Sequence, residues 1–437
     1  MWNAHAALAL AAFVAAPLGG LSAMNPNMPA RGEDGPGPFL SGGVGLVVQP
    51  GDQTAPDISE GVLAWEDRRA GNPAIYVMNL SDGKEWWVGG YGPSQRSPRF
   101  TGSTLVYVTG MRTTPPSCAG GSCVFMVNLS GGPSAIWDGY SVFSPATVAG
   151  EYFAQVDPMA SPGFPRPLHL RYVSNGTRSF AAAADAPDNP PTNGPVGTEG
   201  AVFFSLRPYE GICNFTFNEY ACANELGILY VENRTLFSLT HSLDVYRSHV
   251  TTSWELNCRD FTWEWYPSVA GNIVYWQDNR NSDFDLSDPW CVPKGIRWDI
   301  LRFRPAYGFD LQTWTEFPAV TSPWNETHPD ADGNFLVWSD DRDGNWDIYA
   351  MRVDTREEYR LSDHPADQRN PVISAGCVAW EDNRNGDWDI YGTCLAEPSW
   401  SDRDASRRGD TGSPREISWR ERYLQRAMPQ GWSAGMR

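Results

Sequence analysis

The sequence has no surplus of positive charge. Its 33 Lys and Arg stand against 52 Asp and Glu, a formal net charge of −19. A nucleic-acid binder displaces counterions from phosphates with a basic surface, so no nucleic-acid partner is expected. There is no apolar run of the ~18–20 residues that a membrane helix needs, so no transmembrane helix is expected in the mature chain. Catalytic signatures are also missing. No His-Glu-x-x-His motif occurs, which disfavours a zinc protease, and the one Gly-x-Ser-x-Gly match, Gly431-Trp432-Ser433-Ala434-Gly435, lies in the C-terminal tail with no strand pattern before it, which disfavours a serine-peptidase elbow. The eight cysteines form no Cys-x-x-Cys knuckle, which disfavours structural zinc. The six histidines are scattered. His169 lies in a strand-like run, where a packed neutral imidazole is expected rather than a base.

What is abundant is aromatic and turn-forming. The chain of 437 residues has 20 Trp, 17 Tyr and 19 Phe, with 42 Gly and 35 Pro. Strand-prone aromatics between frequent turn residues predict an all-β fold of many short strands. A hydrophobic content of 41% argues against a disordered chain.

The main signal is a repeat. Val378-Ala379-Trp380-Glu381-Asp382-Asn383-Arg384-Asn385-Gly386-Asp387-Trp388-Asp389-Ile390-Tyr391 has a twin in Leu336-Val337-Trp338-Ser339-Asp340-Asp341-Arg342-Asp343-Gly344-Asn345-Trp346-Asp347-Ile348-Tyr349. A third copy holds Trp65-Glu66-Asp67-Arg68-Arg69 and Ile75-Tyr76, and an interrupted fourth holds Trp276-Gln277-Asp278-Asn279-Arg280 and Trp298-Asp299-Ile300. Weaker copies fill the gap, and the units start at Pro56, Pro98, Pro145, Pro195, Pro267, Pro329 and Pro371. A period in the forties with several short strands per unit predicts a propeller. Seven starts predict a seven-bladed β-propeller of four-stranded antiparallel blades over 44–396. Strand a is expected to follow each proline, strand b to carry Val-x-Trp, and strand c to follow a tight Asp/Asn/Gly turn. The last unit lacks a strand d, and Val44-Gly45-Leu46-Val47-Val48 is expected to supply it and close the ring.

These residues resemble the TolB-like (WD40-like) β-propeller repeats, in particular those of secreted and surface proteins of archaea and bacteria, where Trp-x-Asp-x-Arg-x-Gly-x-x-Asp-Ile-Tyr recurs. The resemblance is specific in the first, sixth and seventh units, partial in the fifth and a pattern match in the second to fourth. It implies a propeller and a binding role, and no particular reaction.

Residues 1–23 read as a secretory signal peptide: an apolar stretch over 6–16, then Pro17, Gly19, Gly20 and Leu21-Ser22-Ala23, although a basic start is missing. A Pro/Gly-rich linker over 24–43 follows. An exported chain permits disulfides. Eight cysteines allow 105 pairings, and spacing favours neighbours: Cys118 with Cys123, Cys213 with Cys222, Cys258 with Cys291, and Cys377 with Cys394. Asn-x-Ser/Thr sequons start at Asn79, Asn128, Asn175, Asn214, Asn233 and Asn325. The tail, 397–437, carries eight basic and six acidic residues; it is read either as disordered or as holding one short helix over 415–428.

The recurrent Trp65, Trp276, Trp338 and Trp380, with Trp298, Trp346 and Trp388, are expected to pack between blades. The turn carboxylates Asp341, Asp343, Asp347, Asp382, Asp387 and Asp389 have two readings. They either cap backbone amides and pair with Arg342 and Arg384, which is favoured, or offer oxygens to calcium. No cofactor is otherwise expected.

Long insertions at 109–122, 157–167, 207–226, 241–266 and 278–297 are nearly all b–c or d–a connections, which share one face. They carry Tyr209, Phe215, Phe217, Tyr220, Trp254, Trp263, Trp265, Tyr266 and Trp290. Two readings stand: exposed, these aromatics suit sugar rings and protein hot spots; packed, they form a small core beneath the insertions. The resulting expectation is a secreted or cell-surface binding protein, with a protein or glycan partner held over the fourth and fifth blades. The alternatives are an extracellular carbohydrate-active hydrolase or lyase, which needs paired carboxylates at the channel mouth, and a surface-layer component, for which tail and sequons share one side.

Overall fold

Alternating apolar and polar residues make a half-buried strand, and the repeat supplies them at every unit. The computed structural model describes residues 43–88, 94–110, 122–129, 135–139, 146–156, 166–173, 178–184, 195–198, 200–206, 225–232, 234–238, 264–278, 304–311, 315–320 and 322–395. All of these fall in one unit, Phe39–Arg437. The expected signal peptide, nearly all of the linker and the tail lie outside the described residues.

The strands are β1 (Val44–Val47), β2 (Gln53–Ser59), β3 (Val62–Asp67), β4 (Ala74–Asn79), β5 (Lys84–Trp87), β6 (Ser94–Thr101), β7 (Thr104–Gly110), β8 (Ser122–Asn128), β9 (Ala135–Gly139), β10 (Ala146–Ala149), β11 (Tyr152–Val156), β12 (Arg166–Tyr172), β13 (Arg178–Ala184), β14 (Val196–Gly197), β15 (Ala201–Leu206), β16 (Glu225–Tyr230), β17 (Thr235–Ser238), β18 (Glu264–Ala270), β19 (Ile273–Asp278), β20 (Arg304–Asp310), β21 (Thr315–Pro318), β22 (Glu326–Asp332), β23 (Phe335–Asp340), β24 (Asp347–Arg352), β25 (Glu358–Arg360), β26 (Gln368–Ser374), β27 (Cys377–Asp382) and β28 (Asp389–Cys394). They form seven four-stranded sheets. Six sheets run in chain order from β2 to β25, and are numbered 1 to 6 here; the seventh has the order β1-β28-β27-β26. The N-terminal strand thus pairs antiparallel with β28, Val44 opposite Gly392.

The residue nine positions after each start proline is Trp65, Tyr107, Ala154, Phe204, Trp276, Trp338 or Trp380. All seven are buried. Each core cluster spans two consecutive sheets. Trp338 of sheet 6 packs with Tyr275 of sheet 5, and Trp380 of sheet 7 with Phe335 and Ile348 of sheet 6. One cluster joins the last sheet to the first, with Trp65 beside Val372 and Cys377. Burying one large aromatic is worth about 4–6 kcal/mol gross, so these residues hold the sheets face to face as expected. Trp346 and Trp388 differ: both are half-buried, and Trp388 lies under the Arg369 guanidinium at 3.8 Å. They stand in the turn before strand c, where the strand face no longer covers them. Trp298 lies outside the described residues.

Strand a also differs from expectation. In sheets 1, 2, 5, 6 and 7 it begins before the proline, and the pair Xaa-Pro forms a bulge against strand b. A bulge is one of the few places a sheet tolerates proline, because the lost N–H is not needed there.

Two edges of the sheets can be told apart. At one, the residue after strand c donates its N–H to the a–b turn in all seven sheets, from Leu80 to Gly61 at 2.9 Å to Leu395 to Gly376 at 2.7 Å. This is called the turn edge. The b–c and d–a connections meet at the opposite, loop edge. Cys377 and Cys394 are register partners at the turn edge of sheet 7 and form a disulfide. The pairings expected for the other six cysteines lie outside the described residues; only the strand position of Cys123, in β8, is described.

Candidate functional site

The bulges carry the site. The residue before each proline has a left-handed backbone: Ala55 (φ 50°), Ser97 (55°), Tyr266 (55°), His328 (53°) and Asn370 (54°). Such a conformation costs of order 1 kcal/mol or more in a non-glycine residue, so its surroundings must hold it. They do so with one repeated hydrogen bond. The bulge N–H donates to the side chain that follows the core Trp of the preceding sheet: Ala55 to Glu381 (2.7 Å), Ser97 to Glu66 (2.8 Å), His328 to Gln277 (3.1 Å) and Asn370 to Ser339 (3.1 Å). Sequence position thus fixes both partners, which stand eleven residues apart within one repeat, as Ala55 and Glu66 or Asn370 and Glu381 do.

These bulges line a cavity of about 210 Å³ to which all seven sheets contribute. Its polar groups include Asp57, Ser97, Arg99, Thr147, Ser268, His328, Asp330 and Asn370. Burial raises the Asp57 carboxyl above its usual value, against the Arg99 charge. Asp57 accepts the N–H of Ile58 (3.1 Å) and of Phe100 in the next sheet (2.5 Å). Burial likewise pushes Asp330 up to about 6. Asp330 accepts the Ser268 hydroxyl at 2.7 Å and the Ile373 N–H at 2.8 Å. Both carboxylates therefore tie one sheet to the next. Burial, with the Arg369 and Arg99 charges, holds His328 down at about 3. Its imidazole is neutral at ordinary pH and its ring centre is 4.1 Å from that of Tyr266. His328 Nδ1, Ser97 Oγ and Asn370 Oδ1 are buried without a hydrogen-bond partner.

The loop edge frames this cavity. The bulge lies two or three residues into strand a, at the end where Gln53 pairs with Asp67 and Gln368 with Asp382. The strand ends flanking the long b–c segments sit at the same edge: Gly110 opposite Ser122, Val156 opposite Leu168, Leu206 opposite Glu225 and Asp278 opposite Arg304. Of the expected aromatic site, Tyr266 lines the cavity. Trp265 is placed in β18 opposite Gln277, with its side chain outside the described residues. Tyr209, Phe215, Phe217, Tyr220, Trp254, Trp263 and Trp290 lie outside them altogether. Each of the other bulge residues stands ten positions before the core aromatic of its repeat, immediately before the start proline, where the sequence expectation places no strand.

The turn carboxylates form scaffold contacts. Asp382 accepts the Trp380 indole N–H at 3.4 Å and Arg384 Nε at 2.9 Å, and Arg384 lies 4.0 Å over the Tyr391 ring. Trp338, Asp340, Arg342 and Tyr349 repeat this quartet, as do Trp65, Asp67, Arg69 and Tyr76. Asp341 accepts the Asn325 N–H, Asp343 the Tyr349 hydroxyl and Asp387 the Gly51 N–H. Asp347 pairs with Arg360 at 2.7 Å, and Asp389 accepts Asn385 Nδ2 at 2.7 Å. Among the described residues no three His, Cys, Asp or Glu gather as a metal site. His169 is buried in β12, and no described helix is long and apolar enough to cross a membrane.

No family model matches the chain, and no curated protein matches it. Solved structures do. The β-propeller domain of the Trilobed protease from Pyrococcus furiosus, which has an open velcro topology, matches with a TM-score of 0.50 at 7% identity, over 80% of this chain and 99% of that one. Oligogalacturonate lyase from Vibrio parahaemolyticus matches with a TM-score of 0.50 at 12% identity, over 81% and 93%. TolB from Agrobacterium tumefaciens matches with a TM-score of 0.34 at 13% identity, over 60% and 87%. The fold class is therefore all-β and of the propeller type. That conclusion rests on the strands and on the first two likenesses, which concern the fold alone.

Proposed function

We propose that the chain is a secreted or cell-surface seven-bladed propeller, closed by β1, that binds a protein or glycan at its loop edge without catalysis. Closure is supported by the β1–β28 pairing and by the core cluster shared between sheets 7 and 1. Export is supported by the apolar N-terminal stretch and by the Cys377–Cys394 disulfide. One observation carries the binding reading. The cavity and the strand ends flanking the long segments meet at one edge, while the repeat's own Trp, Asp, Arg and Tyr are consumed in scaffold contacts. Pockets with convergent polar groups, beside long connections, are the usual seat of ligand recognition. Tyr209, Phe215, Trp254, Trp263, Trp265, Tyr266 and Trp290 are the aromatic contacts proposed, and neither a cofactor nor calcium is required.

The test is a glycan and surface-protein binding screen of the full chain beside a Trp263→Ala/Trp265→Ala variant. Loss of a partner by the variant supports the site; unchanged binding overturns it.

A second reading, an extracellular carbohydrate-active hydrolase or lyase, draws on Asp330, held at about 6 beside Asp57. A carboxyl tuned upward suits acid catalysis. Asp330 is already bonded to Ser268 and Ile373, which favours the binding reading. Turnover of oligosaccharides that is lost in Asp330→Asn, with the fold intact, would reverse that preference.

A further inference from the structure

Two of the six sequons occupy the same place in consecutive repeats. Asn79, of the sequon Asn79-Leu80-Ser81, ends β4, and Asn128, whose sequon runs on to Ser130 outside the described residues, ends β8. Asn79 is the register partner of Val62, and Asn128 of Thr104, each six residues beyond a start proline. The following leucines make the same bond, Leu80 N–H to Gly61 at 2.9 Å and Leu129 N–H to Ser103 at 3.1 Å. Both asparagines therefore stand at the turn edge, away from the cavity and the long segments.

The local geometry separates Asn79 from Asn325. Asn79 Oδ1 accepts both the Ser81 N–H (2.8 Å) and the Ser81 hydroxyl (2.6 Å). This occupies the amide oxygen and leaves Nδ2, the atom that would carry sugar, outside both bonds. Asp82, Gly83 and Lys84 beside it are exposed, so the turn opens to solvent. Asn325 is the reverse. Its Nδ2 and its N–H both bond to Asp341, and its Oδ1 is buried without a partner. One Nδ2 hydrogen is engaged by Asp341 and the amide oxygen is enclosed, so a transferase would have to pull this side chain out of its contacts to reach the nitrogen. Attached glycans are bulky and belong on open surface.

We propose that Asn79, with its repeat-equivalent Asn128, is an N-glycosylation site that clothes the turn edge in sugar, while Asn325 stays bare. The donor is an oligosaccharide on a lipid diphosphate, delivered by a transferase. Nδ2 attacks the anomeric carbon, and a C–N bond forms as the bond from that carbon to the diphosphate oxygen breaks. The diphosphate leaves with the electron pair, and one amide proton passes to base. The proposal shares with the binding reading only the need for export. It adds an orientation: sugar on one edge, partner on the other.

The experiment is glycopeptide mapping of the full chain, secreted through its own N-terminal segment by a host that transfers such oligosaccharides. Enzymatic glycan release in heavy-oxygen water marks each occupied Asn as a labelled Asp. The expected result is label at Asn79 and Asn128 and none at Asn325. Ser81→Ala should abolish label at Asn79 alone, and Thr327→Ala should change nothing. Bare Asn79 and Asn128 in secreted protein, or label at Asn325, overturns the proposal. Partner binding is read separately, so loss of the aromatic site leaves this map unchanged.

Discussion

Sheets 1, 6 and 7 solve at the loop edge a problem that sheets 2, 3 and 4 leave open. In the first group the Trp–Asp–Arg–Tyr quartet locks the tip of the b–c hairpin, and only residues 68–73, 341–346 and 383–388 connect the strands. In the second group Tyr107, Ala154 and Phe204 stand in the Trp position, and Thr109, Val156 and Leu206 in the Asp position. There the connections lengthen to 111–121, 157–165 and 207–224. Sheet 5 keeps Trp276 and Asp278 yet spans 279–303. Stacking of the sheets needs only apolar volume, which both groups supply. The polar quartet does a separate task, shutting the tip. Where it is missing, the tip is free to carry inserted chain without loss of core, and that is where recognition is proposed.

The shared core is the first thing to break. Trp338→Ala and Phe204→Ala should each cost ~3–5 kcal/mol in urea unfolding, because each leaves a cavity between two sheets. A cost below ~1 kcal/mol for Phe204→Ala would mean that sheet 4 does not stack as sheet 6 does. Next in size is the staple of sheet 7. Cys377→Ala/Cys394→Ala should cost ~3 kcal/mol, since the bridge closes a short loop in the unfolded chain, and added reductant should reproduce the loss. The quartet itself comes third. Asp382→Ala strands the buried Trp380 indole and the Arg384 guanidinium and should cost ~2–3 kcal/mol. Thr109→Ala, at the matching place in sheet 2, should cost only about 1 kcal/mol. Equal costs would erase the distinction between the groups.

The same contrast explains what could be read from the sequence. The period, the core aromatics and the partnership of Cys377 with Cys394 are local or strictly repeated, so counting reaches them. The Xaa-Pro bulge cannot be told from a strand start in the sequence, because proline is tolerated both at a first position and in a bulge, and only the register of strand b separates the two. Asp57 and Asp330 were hidden for another reason. Their partners, Phe100, Ser268 and Ile373, lie some 43 to 62 residues away in neighbouring sheets, and no single repeat contains the pair. The aromatic segments stand out by their length, their cysteines and their aromatic content, and of the aromatics named only Tyr266 has a described side chain, in the cavity wall.

The smallest effect is the sharpest test of how the repeat is used. Three residues before the start proline stand Gln53, Gln95 and Gln368, all buried, and in sheet 6 Glu326, buried as well. Gln95 accepts the Ile75 N–H at 2.9 Å and donates to Val88 O at 3.2 Å. A carboxyl can both accept and donate only while it keeps its proton. Burial pushes Glu326 up to about 8, the Ser322 hydroxyl opposes this, and the Asp340 charge adds to it. The folded chain thus binds this proton more tightly than the unfolded chain, whose value is 4.5. The contribution is complete below that value and is lost as pH rises through about 8. Glu326→Gln should therefore match the parent at low pH and exceed it by ~1–2 kcal/mol above neutrality, with a flatter Tm profile between. Gln368→Glu should install the same slope in sheet 7. If Glu326→Gln leaves the profile unchanged, the position is not a carboxamide site in sheet 6, and the equivalence of the repeats fails at that point.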